Sequence, residues 1–135
     1  EAGTSNVAGI AGLRAGVAYI RDHWQQLRQK QADLNARFLQ GLRSIPGLVI
    51  YGDFSRPRVP VFAVNFPGAE SAVVSDILWE TYGIATRPGF HCAPLLHESL
   101  GTKQQGAVRF SLSSFTTEED LEAALVALKK ISALQ

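Results

Sequence analysis

The sequence is short of everything that staples, anchors or polarises a small protein. It has a single cysteine, Cys92, which excludes an internal disulfide and a four-cysteine metal site and fits a reducing, cytoplasmic setting. Charge of either sign is scarce. Thirteen basic residues against twelve acidic ones leave a net charge of +1, and neither kind forms a run, so nucleic acid is not an expected partner. Long apolar runs are missing too. The most apolar stretch near the N-terminus, residues 7–20, carries Arg14 in its middle and falls short of the ~20 residues of a membrane span, so it reads as a buried helix. No basic segment precedes it and no cleavage-site pattern marks a signal peptide. The opening at Glu1 without an initiator methionine predicts a piece of a longer chain.

What is present describes one globular domain over residues 1–135. Of its residues, 46% are hydrophobic and 19% charged, and a chain of this size buries about two thirds of its unfolded surface. From Asn6 a helix is expected, with Gly9, Gly12 and Gly16 among Val7, Ile10, Leu13 and Val17. Glycine costs up to ~1 kcal/mol against alanine in a helix, so this face predicts close approach of another backbone. After Ala18 a second helix is expected: Ile20, Trp24, Leu27, Leu34, Phe38, Leu42 and Ile45 recur at steps of three and four, until Pro46-Gly47 stops it. Residues 48–51 and 59–66 read as strands, and residues 70–82 as a helix closed by Gly83. A brief strand is expected at 84–86, and another at 107–113, where Arg109 falls on the polar face. Thr116 and Glu119 have capping-box spacing ahead of a last helix. The expected class is α+β, a small, largely antiparallel sheet with helices covering one face. No repeat or linker divides it.

The unusual chemistry lies in Arg87-Pro88-Gly89-Phe90-His91-Cys92-Ala93-Pro94. Proline and glycine hold this segment out of regular structure, and it places a guanidinium, an imidazole and the only thiol within six residues. A thiol attacks as thiolate, which adjacent cationic or hydrogen-bonding groups favour. A lone cysteine is also, most often, a small buried hydrophobe. Gly3-Thr4-Ser5-Asn6 reads equally as a helix cap, and Arg109 as a solvated strand residue. His23, beside Asp22 and Trp24, and His97, beside Glu98, are expected at the surface. No metal site is expected.

Three motifs, in order, resemble the class V aminotransferase-like enzymes that include cysteine desulfurases and selenocysteine lyases. Glu1-Ala2-Gly3-Thr4-Ser5-Asn6 is similar to that group's E-x-G-T-x-N segment, Arg87-x-Gly89-x-His91-Cys92-Ala93 to its sulfur-accepting loop, and Val108-Arg109-Phe110-Ser111 to its substrate-binding strand. The resemblance implies the C-terminal small domain of a fold-type I enzyme dependent on pyridoxal 5'-phosphate. It further implies that Gly3 and Thr4 reach the cofactor phosphate of the neighbouring subunit in a homodimer, and that Arg109 binds the substrate carboxylate with Arg87 assisting. Cys92, beside His91, would take sulfur from cysteine, or act on selenocysteine, with alanine released and a sulfur-acceptor protein as a possible partner. The cofactor lysine is not implied in this chain. Lys30, Lys103, Lys129 and Lys130 lack the family's flanking motif, so the fragment is expected to be inactive alone. Two other readings stay open: a transaminase or selenocysteine lyase-like enzyme with an incidental cysteine, and an interaction module that pairs through its glycine-rich first helix.

Overall fold

The two apolar patterns that meet near Ala18 fold as one continuous helix. In the computed structural model, which describes residues 3–134, α1 runs Val7–Arg43 without a break. The change of pattern does not end the helix, and α1 meets the body further on, where Lys30 donates to Ser114 O and Leu34 is buried. Leu34, Phe38 and Leu42 are buried, whereas Val7 is 71% exposed and Trp24 57%. The first half of α1 is therefore an arm that no other described residue covers, and a Cβ added at Gly12 or Gly16 would meet nothing within 4 Å. The close backbone neighbour expected at those glycines is absent among the described residues.

After α1 come β1 (Val49–Tyr51), β2 (Val61–Asn65), α2 (Ser71–Tyr82), α3 (Pro94–Ser99), β3 (Val108–Ser111) and α4 (Glu118–Ser132). The strands form one antiparallel sheet in the order β1-β2-β3. Its register pairs Phe62 with Phe110 and Val64 with Val108, so these four side chains share one face. All four are buried. Phe38 of α1 meets Phe62 edge-on at 5.1 Å between centroids and Phe110 at 5.6 Å, contacts worth ~0.5–1.5 kcal/mol each beyond area burial. Val74 and Leu78 of α2 and Leu121, Leu125 and Leu128 of α4 complete the layer. The expected architecture is present: helices cover one face. The other face, with Val61, Ala63 and Arg109, is only half buried.

Three local expectations are corrected. Residues 84–86 form no strand; instead Arg87 alone makes an antiparallel bridge to Arg109 at the edge of β3. The cap of α4 is shifted by one residue: the Thr117 side chain accepts from the Asp120 N–H at 3.2 Å, while the Asp120 carboxylate accepts from the Thr117 N–H at 2.9 Å. Thr116 and Glu119 take no part in it; the Thr116 hydroxyl accepts from Ser113 N–H instead. The third is α3, a helix over Pro94–Ser99 where none was expected. Pro94 begins it and Leu100 caps it, as proline's preset φ suits a first helical position.

Buried polar groups fasten the 87–106 segment to this frame. Ser71 donates its hydroxyl to Gln105 O at 2.6 Å and accepts from Gly89 N–H at 3.2 Å. The buried Asn65 amide donates to Gly106 O at 2.7 Å, and Ala107 N–H reaches Gly89 O at 3.1 Å. Gly106 sits at φ 67 with its Cα side against Gly89. Only glycine fits there.

Candidate active site

Arg87 and Arg109 exchange both backbone hydrogen bonds, N–H of Arg87 to O of Arg109 at 3.1 Å and the reverse at 2.9 Å. Paired residues of an antiparallel bridge project to the same side, so the two guanidinium groups stand on the half-buried face of the sheet. Cys92 follows from Arg87 through a tight turn. Its thiol is free and exposed, and Arg87 Nη2 lies 3.8 Å from Sγ in hydrogen-bonding geometry.

The backbone of this turn is strained. His91 has φ 52 and Cys92 φ 61, two consecutive non-glycine residues in the left-handed region, at ~1–2 kcal/mol each. Such conformations persist where surrounding contacts over-determine them. One of those contacts also settles the state of His91. Its Nε2 is 2.7 Å from the Arg87 carbonyl, and a carbonyl oxygen only accepts, so Nε2 carries the proton and Nδ1 keeps its lone pair in the neutral ring. The same carbonyl accepts from Arg109 N–H, tying loop and strand at one atom. The imidazolium of His91 is disfavoured: burial pushes its pKa below the ordinary value most strongly, the carbonyl contact raises it, and the positive neighbours Arg109, His97 and Arg87 lower it again. His91 is thus neutral at pH 7.

Arg109 Nε is buried and has no hydrogen-bond partner. An orphaned guanidinium N–H suits an anionic ligand, a carboxylate above all. Among the described residues, no three His, Cys, Asp or Glu side chains are grouped to hold a metal ion, and no helix is long and apolar enough to cross a membrane.

The structure thus brings Arg87, His91, Cys92 and Arg109 together and leaves Gly3 and Thr4 apart. Glu1 and Ala2 of the expected motif lie outside the described residues. Gly3, at φ 118, and Thr4 are exposed ahead of α1, where Asn6 caps Gly9 N–H at 2.9 Å. Lys30, where α1 first hydrogen-bonds to the body through Ser114 O at 2.8 Å, lies ~39 Å further along the helix at 1.5 Å per residue. An exposed glycine and hydroxyl ahead of a helix start are groups that suit a phosphate. The lysines are committed elsewhere: Lys103 to Glu98 at 3.4 Å, and Lys129 and Lys130 to the last turn of α4.

Two residues were missed. His97, expected at the surface, is only 2% exposed, with Nδ1 2.8 Å from the hydroxyl of buried Thr102. The signal for its burial was the proline-started helix α3, which turns His97 inward one turn after Ala93. Ser71, which holds Gly89, gave no sequence signal.

A small antiparallel sheet covered on one face by helices is an architecture of fold-type I transferases. An apo cysteine desulfurase from Thermococcus onnurineus superposes with a TM-score of 0.90 at 29% identity, over 100% of this chain and 33% of its own. The cysteine desulfurase CsdA of Escherichia coli, in an S-sulfonic acid form, gives a TM-score of 0.83 at 30% identity over 99% of this chain and 32% of its own. The aminotransferase class-V family model matches residues 1–124, and the chain belongs to that family. Among its curated relatives, the cysteine desulfurase of Pectobacterium carotovorum is 32% identical over 99% of this chain and 32% of its own length. The probable cysteine desulfurase of Xylella fastidiosa matches to the same extent. The chain spans about a third of the length of these relatives.

Proposed function

We propose that residues 1–135 form the small domain of a pyridoxal-phosphate-dependent cysteine desulfurase, in which Cys92 accepts sulfur from cysteine and alanine is released. The observation that carries this reading is the exposed Cys92, held in a strained turn within hydrogen-bonding distance of Arg87, whose backbone is bridged to Arg109 with its partnerless Nε. Its relatives' names supply the reaction.

In this reading Arg109 takes the substrate carboxylate, which satisfies its orphaned N–H and sets the substrate sulfur toward Cys92. His91 accepts a proton at Nδ1, because Nε2 is committed to the Arg87 carbonyl. Arg87 lies where it can balance the charge of the attacking sulfur. A sulfur–sulfur bond forms to Cys92 as the substrate's carbon–sulfur bond breaks, and the electron pair of that bond stays with carbon, which gains a proton to become alanine. When bound, pyridoxal phosphate supplies the ring that accommodates this pair. Gly3 and Thr4 would hold its phosphate in the neighbouring subunit of a homodimer, while the lysine and the rest of the cofactor pocket would come from a large domain outside this chain. The persulfide left on the exposed Cys92 is then open to a sulfur-acceptor protein.

Native alkylation tests the thiol first. Cys92 should react with a neutral reagent at near the rate of an unfolded-chain thiol or faster; labelling slower by orders of magnitude would place it in the core and end the proposal. In a full-length parent, Cys92→Ala should abolish sulfur release while the cofactor spectrum stays unchanged. Unchanged turnover would instead favour a transaminase-type enzyme with an incidental cysteine.

A further inference from the structure

The strain at His91 and Cys92 needs support from outside the turn, because the turn supplies little itself. Its internal contacts are Ala93 N–H to Phe90 O at 2.8 Å, His91 Nε2 to Arg87 O at 2.7 Å and Arg87 Nη2 to Cys92 Sγ at 3.8 Å. The remaining support comes from below. His97 meets the ring of Phe90 at 5.5 Å and that of His91 at 5.6 Å, both at interplanar angles of 61°. One imidazole thus underlies both side chains that precede the thiol.

His97 is itself fixed from the opposite side. Nδ1 pairs with Thr102 Oγ1 at 2.8 Å, and the backbone N–H of Thr102 donates to His97 O at 2.9 Å. Thr102 O accepts from Gly106 N–H at 2.7 Å, and the next residue, Ala107, donates to Gly89 O at 3.1 Å. A closed circuit results: from Gly89 through Ala107, Gly106 and Thr102 to His97, and from its ring back to Phe90 and His91. A polar side chain 2% exposed is costly to bury unless its hydrogen bond is made, so a leucine would suit a purely packing role at less cost. The hydrogen bond fixes the orientation of the ring as well as its place.

We propose that His97 is a positioning residue for the thiol loop: oriented by Thr102, its ring holds His91 against the Arg87 carbonyl and thereby keeps Cys92 in its left-handed conformation beside Arg87. This rests on the reading of Cys92 as the reacting thiol. The charged and titratable groups that face His91 are Arg87, Arg109 and His97; Glu98 and Lys103, next along the chain, are paired with each other. His97 touches no reacting atom. Its effect passes through His91.

The test follows the His91 ring in the full chain by imidazole nitrogen–proton NMR, with amide exchange at Ala93 alongside. In the wild type, His91 should show the tautomer protonated at Nε2 and titrate below the ordinary value of ~6.5. His97→Ala, and the milder Thr102→Val, should mix the tautomers and move that titration up toward the ordinary value. Both should also speed exchange of the Ala93 amide at least ~10-fold, the loss expected when about one buried hydrogen bond of restraint goes. Thr102→Ser, which keeps the hydroxyl, should restore all three readouts. If His97→Ala and Thr102→Val lower the melting temperature but leave the His91 tautomer and titration as in the wild type, His97 only fills space and the inference is wrong. Its failure is distinct from that of the function proposed above, which falls if wild-type Cys92 resists labelling whatever His97 does.

Discussion

Adding one methyl group at Gly106 should do more damage than its size suggests, because the atoms around it are backbone. A Cβ there would stand 2.6 Å from Gly89 Cα, 2.9 Å from Gly89 C and 2.9 Å from Ser71 Oγ. The residue also sits at φ 67, where alanine loses ~1–2 kcal/mol. Overpacking against atoms that cannot rotate away costs a further ~1–3 kcal/mol. Gly106→Ala should therefore lose roughly 2–5 kcal/mol, a large share of the ~5–15 kcal/mol that holds a domain folded. Gly41→Ala is the control. A Cβ at Gly41 would also meet a neighbour, but this is the flexible end of Leu125, and turning that side chain costs ~0.5–1.5 kcal/mol. Replacing a mid-helix glycine returns ~1 kcal/mol, so Gly41→Ala should stay within ~1 kcal/mol of the wild type. Urea unfolding followed by far-UV circular dichroism measures both. A Gly106→Ala protein no less stable than Gly41→Ala would refute the claim that the thiol loop rests directly on the 102–107 turn.

Two further outcomes follow from the core and from His91. Phe38→Ala removes the ring shared by Phe62 and Phe110 and should cost ~3–5 kcal/mol in the same urea assay; a loss under ~1 kcal/mol would mean that α1 does not pack as described. The pKa of native His91 is lowered, chiefly by burial, so as pH falls the unfolded chain takes up its proton first. Stability should decline from ~6.5 down to the lower native pKa and then level for this group. His91→Gln should remove that part of the slope, and a wild-type stability that rises on acidification through this window would contradict the assigned environment.

The parts of this fold that sequence revealed are those governed by repeating patterns. The 3.6-residue seam through Phe38 and Leu42 and the alternation at Val108, Arg109 and Phe110 each name a face, and at these positions the apolar side chains are buried. What sequence obscured depends on contacts distant along the chain. The exposed arm of α1 carries the same apolar spacing as its buried half, since periodicity reports a face and not what covers it. Residues 84–86 have strand-like side chains, yet only the next residue, Arg87, pairs with β3. His97 was taken for a surface residue because its neighbour Glu98 is charged, yet a single helical turn separates an exposed position from a buried one. Arg87, His91, Cys92 and Arg109 were legible from residue type and motif, while the carbonyl that binds two of them was not, because backbone atoms carry no sequence signature.

The exposed arm of α1 acts as a ruler and a lever. A straight helix transmits angle without loss: tilting it by about 5° at Lys30 would carry Thr4 through about 3 Å, comparable to a hydrogen-bond length. Removing one residue between them would shorten the reach by ~1.5 Å and turn Thr4 by ~100° about the axis. Side-chain changes along the arm alter only what it touches, whereas an insertion or deletion alters where its tip arrives. If Gly3 and Thr4 serve a site on another subunit, the number of residues between Thr4 and Lys30 is a dimension of that assembly, fixed as strictly as any side chain in it.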